Sequence, residues 1–322
     1  MTRALITGIG GQDGSLLAEL LVENGYEVFG VVRREDSSYP NLESVRSRIE
    51  LIQADLNDQA GLVAALRACG PREVYNLASV SFVPKSWDEP VLTAELAAVG
   101  ATALLEAIRA VDASIRFYQA SSSEIFGEPV ASPQNETTPL NPLTPYGVAK
   151  AYAHFITRSY RKRYGLHASS GILFNHTSPR QPLQFLPRKV AHAVASISLG
   201  LTNEVALGEL SARRDWGHAA DYVRAQWLML QQDEPDDYVI ATGETHSVEE
   251  LVSEAFTYAD LDWQAHVKVD ESLKRGKAEL HDLVGDATRA RAQLGWEREY
   301  TFGELVRSLV DAEVAGLSRS AR

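Results

Sequence analysis

Short apolar runs alternate with longer segments of helical periodicity through the first half of the chain. Strands are predicted for the runs ALITGIG, EVFGVVRR, IELIQADL, EVYNLA and IRFYQASS, which are brief, apolar and separated by polar residues. Helices are predicted between them. In SLLAELLVENGY, for example, Leu16, Leu17, Leu20 and Leu21 share one face before Gly25 ends the helix. This alternation predicts strands that pair in parallel through helical crossovers.

The pattern indicates an α/β fold, a doubly wound parallel sheet of the Rossmann type, built mainly from residues 1-170. After residue 170 the rhythm loosens, and Pro179, Pro182 and Pro187 interrupt the chain. We therefore expect residues 171-322 to form mainly a smaller, mixed C-terminal lobe. The runs GILFNHTSP and DYVIATGE are expected to be strands that return to the main sheet.

Three glycines, Gly8, Gly11 and Gly14, lie between the first predicted strand and the first predicted helix in the sequence TGIGGQDG. Residues without a Cβ let a tight turn bring its backbone close to a pyrophosphate, whose charge then rests on the helix N-terminus. A glycine-rich turn without a ligand would have the same letters, but this position between strand and helix favours a cofactor site. We expect Gln12 and Asp13 to contact the cofactor together with the glycines.

The residues after the second predicted strand bear on which dinucleotide is bound. An acid there would bind the ribose 2′-hydroxyl of NAD, whereas an arginine would bind the additional phosphate of NADP. Arg33 and Arg34 come first and are followed by Glu35 and Asp36, so NADP is favoured and NAD stays possible. Residues after the third and fourth predicted strands are also expected to line the cofactor: Asp55, Leu56, Leu77 and Ala78.

Tyr146 and Lys150 stand four residues apart in PYGVAKAYAHFITRSY, so their side chains share one face of the predicted helix. A free tyrosine has a pKa near ~10, and a neighbouring ammonium lowers that pKa toward the range of a useful base. The lysine can also hold the nicotinamide ribose. The same spacing occurs by chance on amphipathic helices, but after a nucleotide-binding half it predicts a catalytic pair.

The serine-rich stretch SSSEIFG follows the fifth predicted strand and contains two further candidates. Ser122 is expected to hydrogen-bond a substrate hydroxyl beside Tyr146. Ser121 and Ser123 lie at a strand end, where serine side chains commonly form hydrogen bonds with backbone groups. Hydride transfer at a carbinol does not need Glu124. A carboxylate there suits the removal of a proton from the carbon next to a new ketone. The alternative is that Glu124 orders its loop or binds ribose.

The charge and the cysteine content limit which partners the protein is expected to bind and in which compartment it is expected to work. The 322 residues include 43 acidic and 31 basic side chains, a net charge of −12, which disfavours binding to nucleic acid or anionic membranes. Cys69 is the only cysteine and is expected to be a buried or half-buried thiol at a helix end, in a cytoplasmic protein. Because the strand pattern begins near residue 4, no signal peptide is expected. No apolar run is expected to approach the ~20 residues of a membrane span.

Beyond these separate motifs, several segments together resemble one family. TGIGGQDG, FYQASSSE, YGVAK, GILFNHTSPR and RRDWGHAADYV resemble the GDP-mannose 4,6-dehydratase family of extended short-chain dehydrogenase/reductases, over almost the whole chain. The Gln-Asp pair in the glycine motif and the RDWGHA segment are its most specific marks. The resemblance implies an NADP-bound homo-oligomer, a dimer or tetramer, that acts on a GDP-linked sugar, with residues 171-322 mainly binding the nucleotide sugar.

The resemblance also implies roles for single residues. Tyr146 would remove the proton of the sugar 4-hydroxyl while carbon 4 gives its hydride to NADP. Glu124 would then remove the proton on carbon 5 and help expel the carbon 6 hydroxyl as water, before the hydride returns to carbon 6. The product would be a 4-keto-6-deoxy sugar without net redox change. Asn175 and Arg188 match family positions near the nucleotide sugar, and Arg213 matches one that faces the diphosphate.

The chain departs from the family pattern at four positions and leaves alternatives open. Ser122 replaces the usual threonine, Thr177 replaces an acid, and Gln181 and Gly276 each replace an arginine. These changes bear on substrate binding more than on dehydration. An NADPH-dependent reductase or epimerase of a nucleotide sugar is one alternative, and a decarboxylase of a UDP-sugar acid is another. A non-catalytic NADP-binding sensor is the third, although it would be expected to have lost the tyrosine, lysine or serine.

Overall fold

The computed structural model of the protein describes residues 1–34, 38–273 and 283–320. The strands are β1 (Arg3–Thr7), β2 (Glu27–Val32), β3 (Ile49–Gln53), β4 (Glu73–Asn76), β5 (Arg116–Ala120), β6 (Ala168–Leu173), β7 (Asn175–Thr177), β8 (Val205–Leu207), β9 (Arg213–Arg214), β10 (Trp216–His218), β11 (Asp237–Ile240), β12 (His246–Ser247) and β13 (Val267–Val269). The helices are α1 (Gln12–Glu23), α2 (Gln59–Cys69), α3 (Lys85–Asp88), α4 (Pro90–Ala94), α5 (Gly100–Val111), α6 (Pro145–Tyr164), α7 (Leu186–Ser198), α8 (Ala219–Gln231), α9 (Val248–Tyr258), α10 (Trp263–His266), α11 (Thr288–Leu294) and α12 (Phe302–Ser320).

Seven parallel strands form the main sheet in the order β11-β6-β5-β4-β1-β2-β3. From β1 the chain builds outward through β2 and β3, and from β4 it builds in the opposite direction. This is the doubly wound topology predicted from the sequence. The two strands expected to return from beyond residue 170, β6 and β11, both lie in this sheet, while the division at residue 170 itself stays a prediction.

Helices cover both faces of the sheet with apolar side chains. On one face, α1 and α8 pack through residues such as Leu17, Leu21 and Met229. On the other face, α2 and α5 contribute Leu62 and Leu105. Because both faces of the sheet are covered, strands such as β1 and β2 are mainly apolar instead of alternating.

The smaller lobe has a core of its own. Helices α7, α9 and α12 pack together through Val194, Leu251, Phe256 and Leu309. Short strand pairs join the loops around this core: β7 with β10, β8 with β13, and β9 with β12. A cavity lies at the carboxyl ends of the strands of the main sheet, and several residues of this lobe form part of its wall.

One apolar segment differs from the sequence-based expectation. The helical run Pro90–Val111 has 22 residues, and an 18-residue window within it has a mean hydropathy of 1.7, so by length and composition alone it could cross a membrane. The expectation that no apolar run approaches a membrane span is therefore wrong for this segment. Half of the apolar window is buried inside the protein, where Leu104, Leu105 and Ile108 join the sheet core. Packing in a core helix accounts for this composition.

The prediction for Cys69 is confirmed. It is the last residue of α2 and is buried. Burial raises the pKa of its thiol to about 11, and the sulfur lies 3.1 Å from the Ala65 carbonyl oxygen. A buried thiol with a raised pKa is a poor nucleophile, so Cys69 serves packing.

Candidate active site

A cavity of about 1680 Å³ opens at the carboxyl ends of β1 and β4, where the strand order of the sheet reverses. Ligands of open α/β sheets bind at this kind of reversal. The cavity continues into the smaller lobe, where Lys189, Gly208 and Val248 line it. Sites for one drug-sized ligand measure roughly 300–1,000 Å³. This cavity therefore has room for two ligands side by side.

Most residues singled out from the sequence meet in this cavity. Its wall includes the predicted cofactor residues Gly8, Gly11, Gln12, Asp13, Gly14, Arg33, Arg34, Asp55, Leu56, Leu77 and Ala78. It also includes the predicted catalytic and substrate residues Ser122, Glu124, Tyr146, Lys150 and Asn175. Two predicted substrate residues are not among those that line it: Arg188 and Arg213.

The glycine-rich turn has the tight geometry that a pyrophosphate needs. Gly8 has φ of +71°, and a Cβ there would lie 2.9 Å from the backbone of Ala78. A Cβ on Gly14 would lie 2.3 Å from the Gly8 carbonyl oxygen. Gly11 donates its amide to that same oxygen at 3.0 Å and is the N-cap residue of α1. Side chains are thus excluded from the turn, and the N-terminus of α1 faces the cavity.

The side chains of Gln12 and Asp13 are engaged by the protein itself. The Asp13 carboxylate accepts hydrogen bonds from His176 Nε2 at 2.9 Å, Gln226 Nε2 at 2.9 Å and Gln12 Nε2 at 3.0 Å. Ser178 donates to Gln12 Oε1 at 3.0 Å. These bonds tie the cofactor turn to the segment around β7 and to α8. Both residues were expected to contact the cofactor, and their bonds to distant segments were not predicted from the sequence.

Arg33 and Arg34 are exposed at the cavity rim with their backbone held in place. Gln53 Nε2 donates to the Arg33 carbonyl oxygen at 3.1 Å. The Tyr39 hydroxyl donates to the Arg34 carbonyl oxygen at 2.6 Å. Both guanidinium groups therefore project from a fixed stretch of backbone. The two acidic residues that follow them lie outside the described residues.

Two helix caps bring the Glu124 turn against the start of α6. Ser122 Oγ accepts a hydrogen bond from the Glu124 amide at 3.3 Å and caps the turn Ser123–Ile125. Thr144 Oγ1 accepts one from the Gly147 amide at 3.0 Å and caps α6. A Cβ on Gly147 would lie 2.6 Å from the Glu124 carbonyl oxygen, so the turn packs directly on the helix. The catalytic candidates from both segments are thereby held side by side.

Burial dominates the proton affinities of the tyrosine and lysine. Burial raises the pKa of Tyr146 well above its ordinary value, a hydrogen bond with Ser122 opposes this rise, and the charge of Glu124 adds to it. Burial lowers the pKa of Lys150 to about 8. Lys150 Nζ donates to the Ala120 carbonyl oxygen at 2.9 Å and lies 5.6 Å from the centre of the Tyr146 ring. The expected lowering of the tyrosine pKa by the lysine is therefore wrong: burial raises this pKa, and the opposing contribution comes from Ser122.

Unpaired hydroxyls in the cavity wall fit a polar ligand. Among the described residues, the buried Oγ atoms of Ser79 and Ser121 have no hydrogen-bond partner within the protein, and both residues line the cavity. Buried polar atoms usually find a partner, so an incoming ribose or phosphate oxygen would suit them. Together with the glycine turn, these hydroxyls make the residues present fit a dinucleotide.

Arg188 and Arg213 are occupied elsewhere. Arg188 Nε donates to Glu313 Oε1 at 2.6 Å. Arg213 donates to the Thr245 carbonyl oxygen at 2.5 Å and to Thr245 Oγ1 at 3.1 Å. The structure therefore does not bring these two guanidinium groups to the cavity. Their neighbours in the sequence line it instead: Lys189 and Arg214.

Two of the departures from the family pattern contact each other. Thr177 Oγ1 donates to Gln181 Oε1 at 2.6 Å, and both residues line the cavity. The two departures therefore form one local change. A hydrogen bond between two neutral side chains replaces the acid and the arginine of the family pattern. Ser122 retains the hydroxyl of the usual threonine. Gly276, the remaining departure, lies outside the described residues.

Several residues of the cavity wall were not predicted from the sequence, among them Tyr39, Ser79 and Lys189. Ser79 was recoverable, because it closely follows a predicted strand at the sheet's carboxyl edge. Lys189 lies one position beyond Arg188. No local pattern marks Tyr39, since its place depends on a loop that folds back over the glycine turn.

Comparison with known proteins gives a consistent result. A family model described as GDP-mannose 4,6 dehydratase matches residues 5–309. GDP-mannose 4,6 dehydratase 1 of Arabidopsis thaliana is 45% identical over 97% of this chain and 89% of its own length. The human GDP-mannose 4,6 dehydratase is 44% identical over 97% and 91%. The structure of Thermus thermophilus UDP-glucose 4-epimerase in complex with NAD aligns with a TM-score of 0.85 and 28% identity, over 97% of this chain and 99% of that one. The chain belongs to the GDP-mannose 4,6-dehydratase family.

Proposed function

We propose that the protein converts GDP-mannose to its 4-keto-6-deoxy product as a nucleotide-sugar 4,6-dehydratase with an internal redox cycle. One observation carries this proposal: Glu124 lines the same cavity as Ser122, Tyr146 and Lys150. A reductase or epimerase needs only the last three residues. Dehydration additionally requires a base for the proton on carbon 5, and family membership supports the same reaction.

Each catalytic side chain has a defined task in this proposal. Tyr146 removes the proton of the 4-hydroxyl, while the hydrogen bond from Ser122 and the ammonium of Lys150 stabilise the phenolate. Glu124 removes the carbon 5 proton, which the new ketone at carbon 4 has made acidic. It then passes a proton to the hydroxyl on carbon 6, which leaves as water. When bound, the nicotinamide supplies the hydride acceptor for carbon 4 and the hydride donor for carbon 6.

The cofactor that we propose is NADP. The glycine cradle and the unpaired hydroxyls of Ser79 and Ser121 suit a pyrophosphate and ribose of either dinucleotide. Arg33 and Arg34 at the rim suit a 2′-phosphate, because guanidinium groups bind phosphate through paired hydrogen bonds. NAD, which the T. thermophilus epimerase binds, is the alternative. It would leave both guanidinium groups without a phosphate partner.

We propose that the diphosphate of the nucleotide sugar lies at the lobe end of the cavity, near Lys189 and Arg214. Both cations line that end, in a chain whose net charge is −12. Asn175, on β7 between the two halves of the cavity, is suited to hydrogen-bond the sugar. Roles in substrate binding for Arg188 and Arg213 stay predictions from the resemblance, because neither residue lines the cavity.

We also propose that the protein works as a cytoplasmic homo-oligomer. Helix α6 presents Val148, Tyr152 and Phe155 to solvent, with exposed fractions of 55%, 46% and 51%. The adjacent run before α5 presents Val91 and Val99 in the same way, at 69% and 55%. A contiguous apolar surface of this kind on two packed helices favours association with a second copy.

Replacing Phe155 with glutamate is expected to convert the oligomer to monomer, because it puts a charge into the apolar contact. Light scattering of the purified protein measures the mass. Leu201→Glu is the control, since Leu201 is 58% exposed on a turn after α7. A wild-type protein that is monomeric at micromolar concentration would contradict the proposal, and so would a Phe155→Glu protein of unchanged mass.

Incubation of the purified protein with GDP-mannose, without added cofactor, tests the proposed reaction. We expect mass spectrometry to detect a sugar nucleotide that has lost one water, with no consumption of reduced nicotinamide. Denaturation of the same preparation should release NADP. If the protein is purified without nucleotide, added NADP should start the reaction and added NAD should not.

The same experiment separates the proposal from its alternatives. Consumption of NADPH with a 4-keto sugar nucleotide would indicate a reductase. An unchanged mass with altered sugar configuration would indicate an epimerase. Loss of carbon dioxide from a UDP-sugar acid would indicate a decarboxylase, and tight cofactor binding without turnover of any of these substrates would indicate a sensor.

A further inference from the structure

A row of buried polar side chains crosses the main sheet near its carboxyl edge. Thr7 on β1, Asn76 on β4 and Gln119 on β5 are direct partners in the strand register, so their side chains share one face of the sheet. Their exposed fractions are 0%, 2% and 2%, which leaves solvent no access to replace a lost partner. None of the catalytic roles proposed above uses these three side chains.

The hydrogen bonds along this row run in one direction. Thr7 Oγ1 accepts hydrogen bonds from two backbone amides of the loop after β4, at 3.1 and 3.2 Å, so its own proton goes to Asn76 Oδ1 at 2.7 Å. Asn76 must therefore turn Nδ2 toward Gln119, whose Oε1 accepts at 2.8 Å. Gln119 then has Nε2 as its free donor, and this group donates to the Ala120 carbonyl oxygen at 3.0 Å.

The row ends at the oxygen that binds the catalytic lysine. Lys150 Nζ donates to the same Ala120 carbonyl oxygen at 2.9 Å, and among the described residues this oxygen is the one hydrogen-bond partner of the ammonium. The other side of this peptide unit is held by β6, because Ser121 donates its amide to the Gly171 carbonyl oxygen at 2.9 Å. A carbonyl oxygen has two lone pairs, and here Gln119 and Lys150 occupy them.

The end of β4 explains why side chains bind this carbonyl. The parallel register of β4 and β5 ends at Asn76 and Gln119. The loop that follows β4 donates its first amides to Thr7 and so does not continue the ladder along Ala120. A buried carbonyl at such a place needs other donors. The position of the lysine ammonium therefore depends on a peptide unit that the Gln119 side chain holds.

We propose that Gln119 is a positioning residue for Lys150 and acts through the Ala120 carbonyl oxygen. Its side-chain amide keeps that oxygen, and with it the ammonium, in place beside Tyr146 and the nicotinamide ribose. The bond to the carbonyl uses one of the three N–H groups of the ammonium and leaves two for these partners. The kinetic part of this inference rests on the dehydratase function proposed above, and the binding part requires only a bound dinucleotide.

A double-mutant cycle with Lys150 tests this role. Gln119→Met keeps the length of the side chain and removes its hydrogen-bonding groups. We expect the Kd of NADP, measured by calorimetry, to rise about 3–10-fold, the usual contribution of one hydrogen bond. In a Lys150→Met protein the same change should leave the Kd unchanged, because no ammonium remains to be positioned. If Gln119 only supported the sheet, the Kd would rise by a similar factor in both backgrounds, and that result would overturn the inference.

Kinetics provide a second readout. In Gln119→Met we expect kcat for GDP-mannose dehydration to fall about 10-fold with KM unchanged, because the row reaches the lysine and not the lobe end of the cavity. Ser170→Ala is the matched control. Ser170 is the register partner of Gln119 on β6, is buried, and its Oγ has no hydrogen-bond partner among the described residues. The control should keep wild-type kcat and NADP affinity, and losses equal to those of Gln119→Met would contradict the role of the amide.

Gln119→Asn replaces Gln119→Met if the latter protein does not fold. Its amide can still pair with Asn76 but is one methylene too short to bond the Ala120 carbonyl oxygen as well. The same cycle then decides, because a rise in Kd that disappears in the Lys150→Met background supports the inference, while equal rises or no rise contradict it. Failure of the wild-type protein to dehydrate GDP-mannose would overturn the proposed function alone, since the binding cycle needs no turnover. If the protein binds NAD, the cycle is measured with NAD, which has the same nicotinamide ribose.

Discussion

Replacing Tyr146 with phenylalanine is expected to lower kcat for dehydration by about 10²–10⁴-fold, the usual contribution of a positioned base. The substitution keeps the ring that packs at the start of α6 and removes only the hydroxyl that Ser122 hydrogen-bonds. Without it, the 4-hydroxyl proton has no acceptor and carbon 4 cannot release its hydride. In a single turnover, neither reduced cofactor nor dehydrated product should form, although GDP-mannose still binds.

Tyr160→Phe is the matched control for this experiment. Tyr160 lies on the same helix but does not line the cavity. Its hydroxyl donates a hydrogen bond to Glu106 at 2.7 Å. Its loss should leave kcat and KM near the wild-type values. Turnover of Tyr146→Phe at a rate similar to that of wild type would remove the tyrosine from the proposed chemistry, because no other change was made at the site.

The fold could be predicted because its signals are local and repeated. The strands β1 to β5 coincide with short, mainly apolar runs, and the helices between them have an apolar face, so these elements were predicted from periodicity. The run predicted for β6 overlaps only the end of that strand. The helical run Pro90–Val111 shows the limit of this approach. Its apolar length resembles a membrane span, and only the packing of Leu104 and Leu105 against the sheet explains it.

The candidate site could be predicted where its residues sit at fixed places in the fold. Residues that follow parallel strands meet at one edge of the sheet, which is why Asp55, Leu77 and Glu124 all reach the same cavity. Tyr146 and Lys150 followed from helical spacing. The direction of the shift in the tyrosine pKa did not, because burial raises this pKa and depends on the complete fold.

Contacts between segments that are distant in the sequence could not be predicted from it. Asp13 and His176 are separated by 163 positions, and no local pattern joins them. The pairing of Arg188 with Glu313, 125 positions away, likewise turns a predicted substrate residue into a partner of α12. A charged side chain in a motif identifies a possible ligand contact, but a partner that is distant in the sequence can engage it instead.

Replacing Glu124 with glutamine is expected to divide the reaction into its two halves. The change keeps the size of the side chain and removes its basicity, so Tyr146 can still start oxidation at carbon 4 while the proton on carbon 5 has no base. Reduced cofactor should accumulate in a single turnover, as seen by its absorbance, without release of dehydrated sugar. Product formation should fall by about 10²–10⁴-fold, and exchange of the carbon 5 hydrogen with deuterated solvent should stop.

Glu128→Gln supplies the control, since Glu128 is an exposed carboxylate four positions along the same loop and is absent from the cavity wall. It should dehydrate GDP-mannose normally and exchange the carbon 5 hydrogen. Comparison with Tyr146→Phe sharpens the result, because that variant should form no reduced cofactor whereas Glu124→Gln should accumulate it. Normal dehydration by Glu124→Gln would mean that another group removes the carbon 5 proton, and Glu124 would then serve only to order its turn against α6.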